Sequence, residues 1–141
     1  MYETIVSMVG RVITEPARHR FPNGDQKTSF RLMASERRFN RETQEWGDGD
    51  RLFVTVNSWR RLAEGVANSV VKGDNVMVTG RLYVRQYQTS GGDQRDSYEL
   101  DARAIGPDLN WCTVAVERPP RPLTEASTGQ PGEEVIGRRA A

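Results

Sequence analysis

Apolar and polar positions alternate strictly from Arg51 to Trp59. Leu52, Val54 and Val56 share one parity, and Phe53, Thr55 and Asn57 share the other, which continues to Trp59. The same period of two returns from Val76 to Tyr87, where Val76, Val78, Gly80, Leu82 and Val84 oppose Met77, Thr79, Arg81, Tyr83, Arg85 and Tyr87. Successive side chains of a strand point to opposite faces, so each segment reads as a strand whose aliphatic parity supplies a core face. The second parity, rings interleaved with guanidinium groups, is not needed for folding. It is what a surface requires to stack planar bases while neutralising phosphates.

Further elements follow from the same patterning. Thr4 to Ile13 reads as a first strand, with Gly10 marking a bend or bulge. A polar stretch after Glu15-Pro16 ends in the turn signal Pro22-Asn23-Gly24-Asp25. Thr28 to Ala34 alternates again, and Ser35 to Asp50 reads as a long charged loop containing Phe39 and Trp46. Ser58 is placed to cap a helix from Trp59 to about Val71, whose apolar stripe is Leu62, Val66 and Val70. Gly73, in Lys72-Gly73-Asp74, stands in the position expected of a helix C-terminus. Asn75 to Tyr87 is a fourth strand, Thr89 to Arg95 a hairpin loop and Ser97 to Ile105 a fifth strand, with Trp111 to Val116 as a short sixth.

From Arg118 the periodicity stops, and four of the seven prolines (119, 120, 122 and 131) fall in the remaining segment. This predicts one domain over residues 1–117 and a disordered, proline-containing tail over 118–141. Five strands, with a helix between the third and fourth, suit an all-β fold: a closed five-stranded barrel of the OB type, whose helix plugs one end and whose outer face carries oligonucleotides. Closure also removes the exposed strand edges of a chain that has no second sheet.

Composition narrows the chemistry. The chain of 141 residues has 20 Lys+Arg against 19 Asp+Glu, which excludes a generally polybasic binder and leaves phosphate recognition to local clusters. Lys27 and Lys72 are the only lysines, so the cations are overwhelmingly arginines, which stack and fork onto phosphate oxygens. GC-rich coding also favours arginine, and accounts better for their number than for their positions. No apolar run is long enough to span a bilayer and the N-terminus lacks a signal-peptide pattern, so a cytoplasmic, nucleoid-associated protein without membrane contact is expected. A single cysteine, Cys112, permits no internal disulfide.

Catalysis finds little support. One histidine, His19, and one cysteine cannot assemble a Cys/His metal cluster, and a filler Cys112 beside a packed Trp111 is the simpler reading than a nucleophile. No phosphate-cradling glycine loop with a following lysine exists, and Asp48-Gly49-Asp50 lacks the ligand series of a calcium loop. The expectation is a protein that is not an enzyme and has no cofactor or metal.

The aromatic positions carry the functional reading. Phe39 stands among Arg37, Arg38 and Arg41, and Tyr87 follows Arg85 on one strand face. For Phe53 and Trp59 the alternative to stacking is packing at a subunit interface or against a long loop, since aromatics are enriched at interfaces. Trp46, with Glu45 and Asp48 beside it, reads as a loop anchor, and Tyr83 as structural. Arg60-Arg61 opposes the dipole at a helix start, and beside Trp59 it suggests phosphate contact.

Several blocks then come together. Val9-Gly10-Arg11-Val12, Glu15-Pro16, Pro22-Asn23-Gly24 and Phe30-Arg31-Leu32-Met33-Ala34-Ser35-Glu36 are followed by Trp59-Arg60-Arg61-Leu62-Ala63-Glu64, Val71-Lys72-Gly73-Asp74 and Val78-Thr79-Gly80-Arg81-Leu82. In this order and spacing the chain resembles the bacterial single-stranded DNA-binding proteins over roughly residues 1–117. The resemblance implies an OB fold, a homotetramer, and sequence-independent binding and protection of single-stranded DNA in replication, recombination or repair. It implies base stacking at Phe39, Phe53, Trp59 and Tyr87, with Arg31, Arg37, Arg38, Arg60, Arg61, Arg81, Arg85 and Arg95 as candidates for phosphate. The extra strand at Trp111 to Val116 is similar to the subgroup from high-GC Gram-positive bacteria, where it clamps neighbouring subunits. The family's acidic, aromatic C-terminal tip is replaced by Glu133-Glu134-Val135-Ile136-Gly137-Arg138-Arg139-Ala140-Ala141. That departure puts recruitment of other proteins in doubt and points to a paralogue specialised for recombination, DNA uptake or stress. An OB-fold protein-interaction adaptor and a single-stranded RNA binder remain the alternatives.

Overall fold

The structure, a computed structural model, describes residues 2–120. Its elements are β1 (Ile5–Val12), β2 (Ala17–Arg20), β3 (Gln26–Asn40), β4 (Glu45–Trp59), α1 (Arg60–Ser69), β5 (Asn75–Gln88) and β6 (Gln94–Pro107). β1 runs antiparallel to β5 from Ile5↔Arg81 to Arg11↔Asn75, and its last residues also pair with β3 at Arg11↔Met33 and Val12↔Leu32. β3 continues to β4, β4 lies parallel to β6 through Thr55↔Glu99 to Asn57↔Asp101, and β6 returns to β5. The ring β1-β3-β4-β6-β5 is therefore closed, and this is the expected five-stranded OB barrel with its one helix between β4 and β5.

The aliphatic parities fill the barrel. Val12, Phe30, Leu32, Val54, Val56, Val76, Val78 and Leu100 form one buried cluster, which Val66 of α1 joins from the end. Polar seams fix the plug: the Thr28 hydroxyl donates to the Ala63 carbonyl at 2.8 Å, and the Ser58 hydroxyl donates to the Thr28 carbonyl at 2.7 Å. Two glycines permit closure. A Cβ at Gly10 would lie 2.6 Å from the Met33 carbonyl oxygen, where β1 crosses from β5 to β3. One at Gly80 would lie 2.1 Å from the Asp101 carbonyl oxygen, at the register shift between β5 and β6.

Several expectations are corrected. The charged segment from Ser35 to Asp50 is a hairpin arm, not a loop: β3 and β4 stay paired out to Asn40↔Glu45, beyond an irregularity at Ser35/Arg37. The side chain of Asn40 holds the turn by accepting from the amides of Glu42 and Thr43. The segment shows no hydrophobic alternation because a two-stranded arm beyond the barrel has no core to face. For the same reason β2, all four residues exposed on the edge of β3, leaves no apolar signature. Ser58 does not cap α1; its hydroxyl is spent inside the barrel, and Trp59 occupies the cap position without a side-chain bond. Gly73 (φ +100°) does not end the helix, which stops at Ser69. It belongs to the turn into β5, where its amide donates to the Val12 carbonyl. Trp111 to Val116 has no strand partner among the described residues, and Trp111 is 72% exposed. Of the expected tail, residues 121–141 lie outside the described residues, and so does the altered C-terminal end.

Candidate nucleic-acid interface

Residues directly opposed across two strands share a face, so the register lays out the barrel's outer surface. Met33–Phe53, Arg31–Thr55, Ser29–Asn57 and Lys27–Trp59 are successive pairs of β3 and β4. Next to them, across the parallel β4–β6 pairing, Tyr87–Arg95, Arg85–Ser97, Tyr83–Glu99 and Arg81–Asp101 pair β5 with β6. All four predicted stacking residues are accessible: Phe39 is 41% exposed, Phe53 38%, Trp59 40% and Tyr87 42%. Large rings left this open on strands are not core.

The structure brings some of them together and separates others. Phe53 and Tyr87 line one open cleft of about 410 Å³ between the β3–β4 and β5–β6 hairpins, with Arg31, Arg51, Leu52, Asp96, Ser97 and Tyr98. The Arg31 guanidinium reaches across to the Thr55 hydroxyl at 2.9 Å, and Arg85 lies 5.6 Å from the centre of the Tyr87 ring. Trp59 sits at the helix end of β4, about 20 Å of strand away from Phe53. Phe39 lies out on the arm, where its ring meets Trp46 at 5.3 Å. Trp46 is therefore not an anchor to the barrel: it is 63% exposed and packs on Phe39, its register partner.

Two residues of the cleft escape the sequence pattern. Tyr98 has the parity of buried Leu100, yet β6 has left the barrel by that point and Tyr98 is 45% exposed. Arg51 marks only the start of an alternating run in the sequence; it faces the cleft while pairing with Asp48 at 2.9 Å. Neither carries a signal that could be read without knowing where the hairpins outrun the barrel.

The middle of the outer face is occupied by a polar network. The Ser29 hydroxyl donates to Asn57 Oδ1, and Asn57 Nδ2 donates to Glu99 at 3.0 Å and to Asp101 at 3.3 Å. Ser97 donates to the second Glu99 oxygen, while Arg81 and the Tyr83 hydroxyl both donate to Asp101. Glu99 is only 5% exposed, its charge supported by these donors. Arg81 lies 4.0 Å over the Tyr83 ring. Burial raises the Tyr83 phenol above its ordinary pKa of 10.0, and the charge of Asp101 and its hydrogen bond push the same way. Tyr83 is thus tied into this network, and Arg81 is paired with Asp101 at 3.0 Å although 39% of its side chain remains exposed.

The remaining arginines divide by partner. Arg38 bridges Glu36 and Asp50 at 3.0 and 2.9 Å, and Arg60 (φ +57°) faces Asp25 at 3.4 Å. These pairs are exposed, and exposed pairs contribute little, so a phosphate competes readily for either guanidinium. Arg31, Arg37, Arg61, Arg85 and Arg95 make no ion pair among the described residues. No group of His, Cys, Asp and Glu suited to a metal occurs among the described residues. No helix among them is long and apolar enough to cross a membrane.

Residues 4–108 match the Single-strand binding protein family. A Corynebacterium glutamicum protein named single-stranded DNA-binding protein is 42% identical over 119 residues, covering 84% of this chain and 53% of that protein. Single-stranded DNA-binding protein 2 of Streptomyces coelicolor is 39% identical over 116 residues, 82% of this chain and 58% of its own. The chain thus spans little more than half the length of these two relatives. Among solved structures, the small single-stranded DNA-binding protein from Streptomyces coelicolor superposes with a TM-score of 0.72 at 39% identity, over 79% of this chain and 100% of its own. The second single-stranded DNA-binding protein of Mycobacterium smegmatis gives 0.62 at 38% identity, over 83% of this chain and 100% of its own.

Proposed function

The chain belongs to the single-strand binding protein family, and from that membership we propose that it binds single-stranded DNA without regard to base sequence. The observation that carries the proposal is the open cleft that Phe53 of one hairpin and Tyr87 of the other line together with Arg31. Bases stack on Phe53 and Tyr87, then on Phe39 toward the arm and on Trp59 toward the helix. Phosphates are met by Arg31, Arg37, Arg61, Arg85 and Arg95, and by Arg38 and Arg60 after exchange of their carboxylate partners. Arg81 is withdrawn from this set, because its charge is already met by Asp101. The acidic network at the centre of the face repels phosphate, so the strand runs around Glu99 and Asp101 rather than over them.

Binding of this kind protects single strands in replication, recombination or repair and needs no catalytic group or cofactor. The working form is a homotetramer: Ile5, Val9 and Met77 are 46%, 53% and 54% exposed on the outer faces of neighbouring β1 and β5, an apolar patch that association would cover. A nucleoid location in the cytoplasm fits the same reading, with the first 117 residues as the binding domain.

Titration with oligo-dT, followed by fluorescence anisotropy of the labelled DNA and by tryptophan emission, tests the proposal. Saturable binding at low salt that weakens as salt rises is expected; no binding at low salt overturns it. Competition with oligo-U separates DNA from RNA. Self-association sensitive to Phe53→Ala without DNA affinity would favour the adaptor instead.

A further inference from the structure

A second row of rings lies across the strands at the other end of the face. His19 on β2 is in register with Lys27 on β3, and Lys27 with Trp59 on β4, so the three side chains share one surface. Phe21 completes the row. Its ring stacks on Trp59 at 5.7 Å between centroids and 23° between planes, and His19 meets Phe21 nearly edge-on at 4.5 Å and 71°. The Lys27 ammonium lies 5.4 Å from the centre of the Trp59 ring.

This ladder does not belong to the core. None of its members joins the buried cluster, and both His19 and Trp59 are exposed. A short charged edge strand needs no aromatic ladder for stability. The charges around it have one sign in excess. Arg18, Arg20, Lys27 and Arg61 make no ion pair among the described residues, while Asp25 in the adjoining turn is already paired with Arg60. Open rings bordered by unneutralised cations complement a polyanion with planar bases, since the rings offer stacking platforms that an acidic protein surface would leave unused.

We propose that His19, Phe21 and Trp59, with Lys27 among them, form a second single-stranded nucleic-acid subsite that leads the strand off the barrel and along the β2–β3 hairpin. The inference rests on the DNA-binding reading above and extends it beyond Trp59 by His19, Phe21 and Lys27, which that reading does not use. Trp59 is the junction of the two tracks, Phe21 supports its ring, and His19 is the outermost platform. Lys27 and the arginines of β2 meet the phosphates that follow.

The test uses the full chain, its fold checked by circular dichroism, in three forms: wild type, His19→Ala and Phe21→Ala. Each is titrated with a long oligo-dT at low salt and its footprint measured by stoichiometric titration on poly-dT. His19 does not touch Trp59, so His19→Ala reports on direct contact: affinity about fivefold or more weaker and a shorter footprint are expected. Wild-type affinity and footprint in both variants would overturn the ladder and leave the cleft reading standing. Weakening by Phe21→Ala alone would reduce Phe21 to a prop for Trp59 and also overturn the subsite. Failure of the wild type itself to bind would remove the reading beneath as well.

Discussion

At the scale of single residues, what matters is which side chains are free to meet a ligand and which are spent on the protein. Phe53 and Tyr87 are exposed and make no hydrogen bond to the fold, so truncating either to Ala leaves the barrel intact. Each truncation is expected to weaken oligo-dT binding by about 1–3 kcal/mol, read by anisotropy. Because the two share one cleft, the double variant departs from additivity, which a double-mutant cycle measures. Arg81 and Arg85 look alike in the sequence, four residues apart on one face of one strand, yet only Arg81 has a carboxylate partner. Arg85→Gln should weaken DNA binding, whereas Arg81→Gln should lower stability in urea and spare affinity. Tyr83 adds a pH dependence. Its phenol is harder to ionise folded than unfolded, so its contribution to stability is complete below about pH 10 and is lost as pH rises through the raised folded value. The stability difference between wild type and Tyr83→Phe is expected to narrow above pH 10 in denaturant titrations.

At the scale of elements, the strands inside the barrel were legible because a buried face imposes a period of two. The arm and β2 were not, because neither has a face to bury. Their conformation comes from pairing with a neighbour, and hydrogen bonding along a ladder has no hydropathy signature. The arm is a separable element on this account. Replacing residues 37–48 with a tight two-residue turn is expected to leave thermal stability nearly unchanged and to weaken DNA binding by removing Phe39, Arg37 and Arg38. Gly80 behaves oppositely. A methyl group there would collide with the Asp101 backbone in the middle of the β5–β6 pairing, so Gly80→Ala should cost about 1–3 kcal/mol of folding stability in urea.

At the scale of the whole molecule, near-zero net charge means that affinity cannot come from a general positive field. Counting only the five predicted arginines without ion-pair partners, and leaving aside Lys27, Arg18 and Arg20 of the second subsite, gives five ready phosphate contacts per subunit. For single strands this corresponds to a slope of about −3.5 in log affinity against log salt. A much steeper slope would mean that further cations join, either Lys27, Arg18 and Arg20 of the second subsite or Arg38 and Arg60 after release of their carboxylates. On the proposed reading stacking supplies much of the salt-independent remainder, which places weight on Phe53, Tyr87 and Trp59 together.

The sequence by itself determined the barrel and the aromatic–arginine character of its outer face, since both are written in strand periodicity and in residue type. Glycines at 10 and 80 were visible, but only closure shows that a carbonyl lies where each Cβ would be. Which rings share a cleft, which arginines are already neutralised, and that Tyr98 and Trp46 are open were decided by tertiary structure alone. Those properties depend on residues distant in the chain: Asp101 beside Arg81, and the hairpins rising past the barrel's end. Alternation states which face a side chain takes; it carries no information about what meets it there.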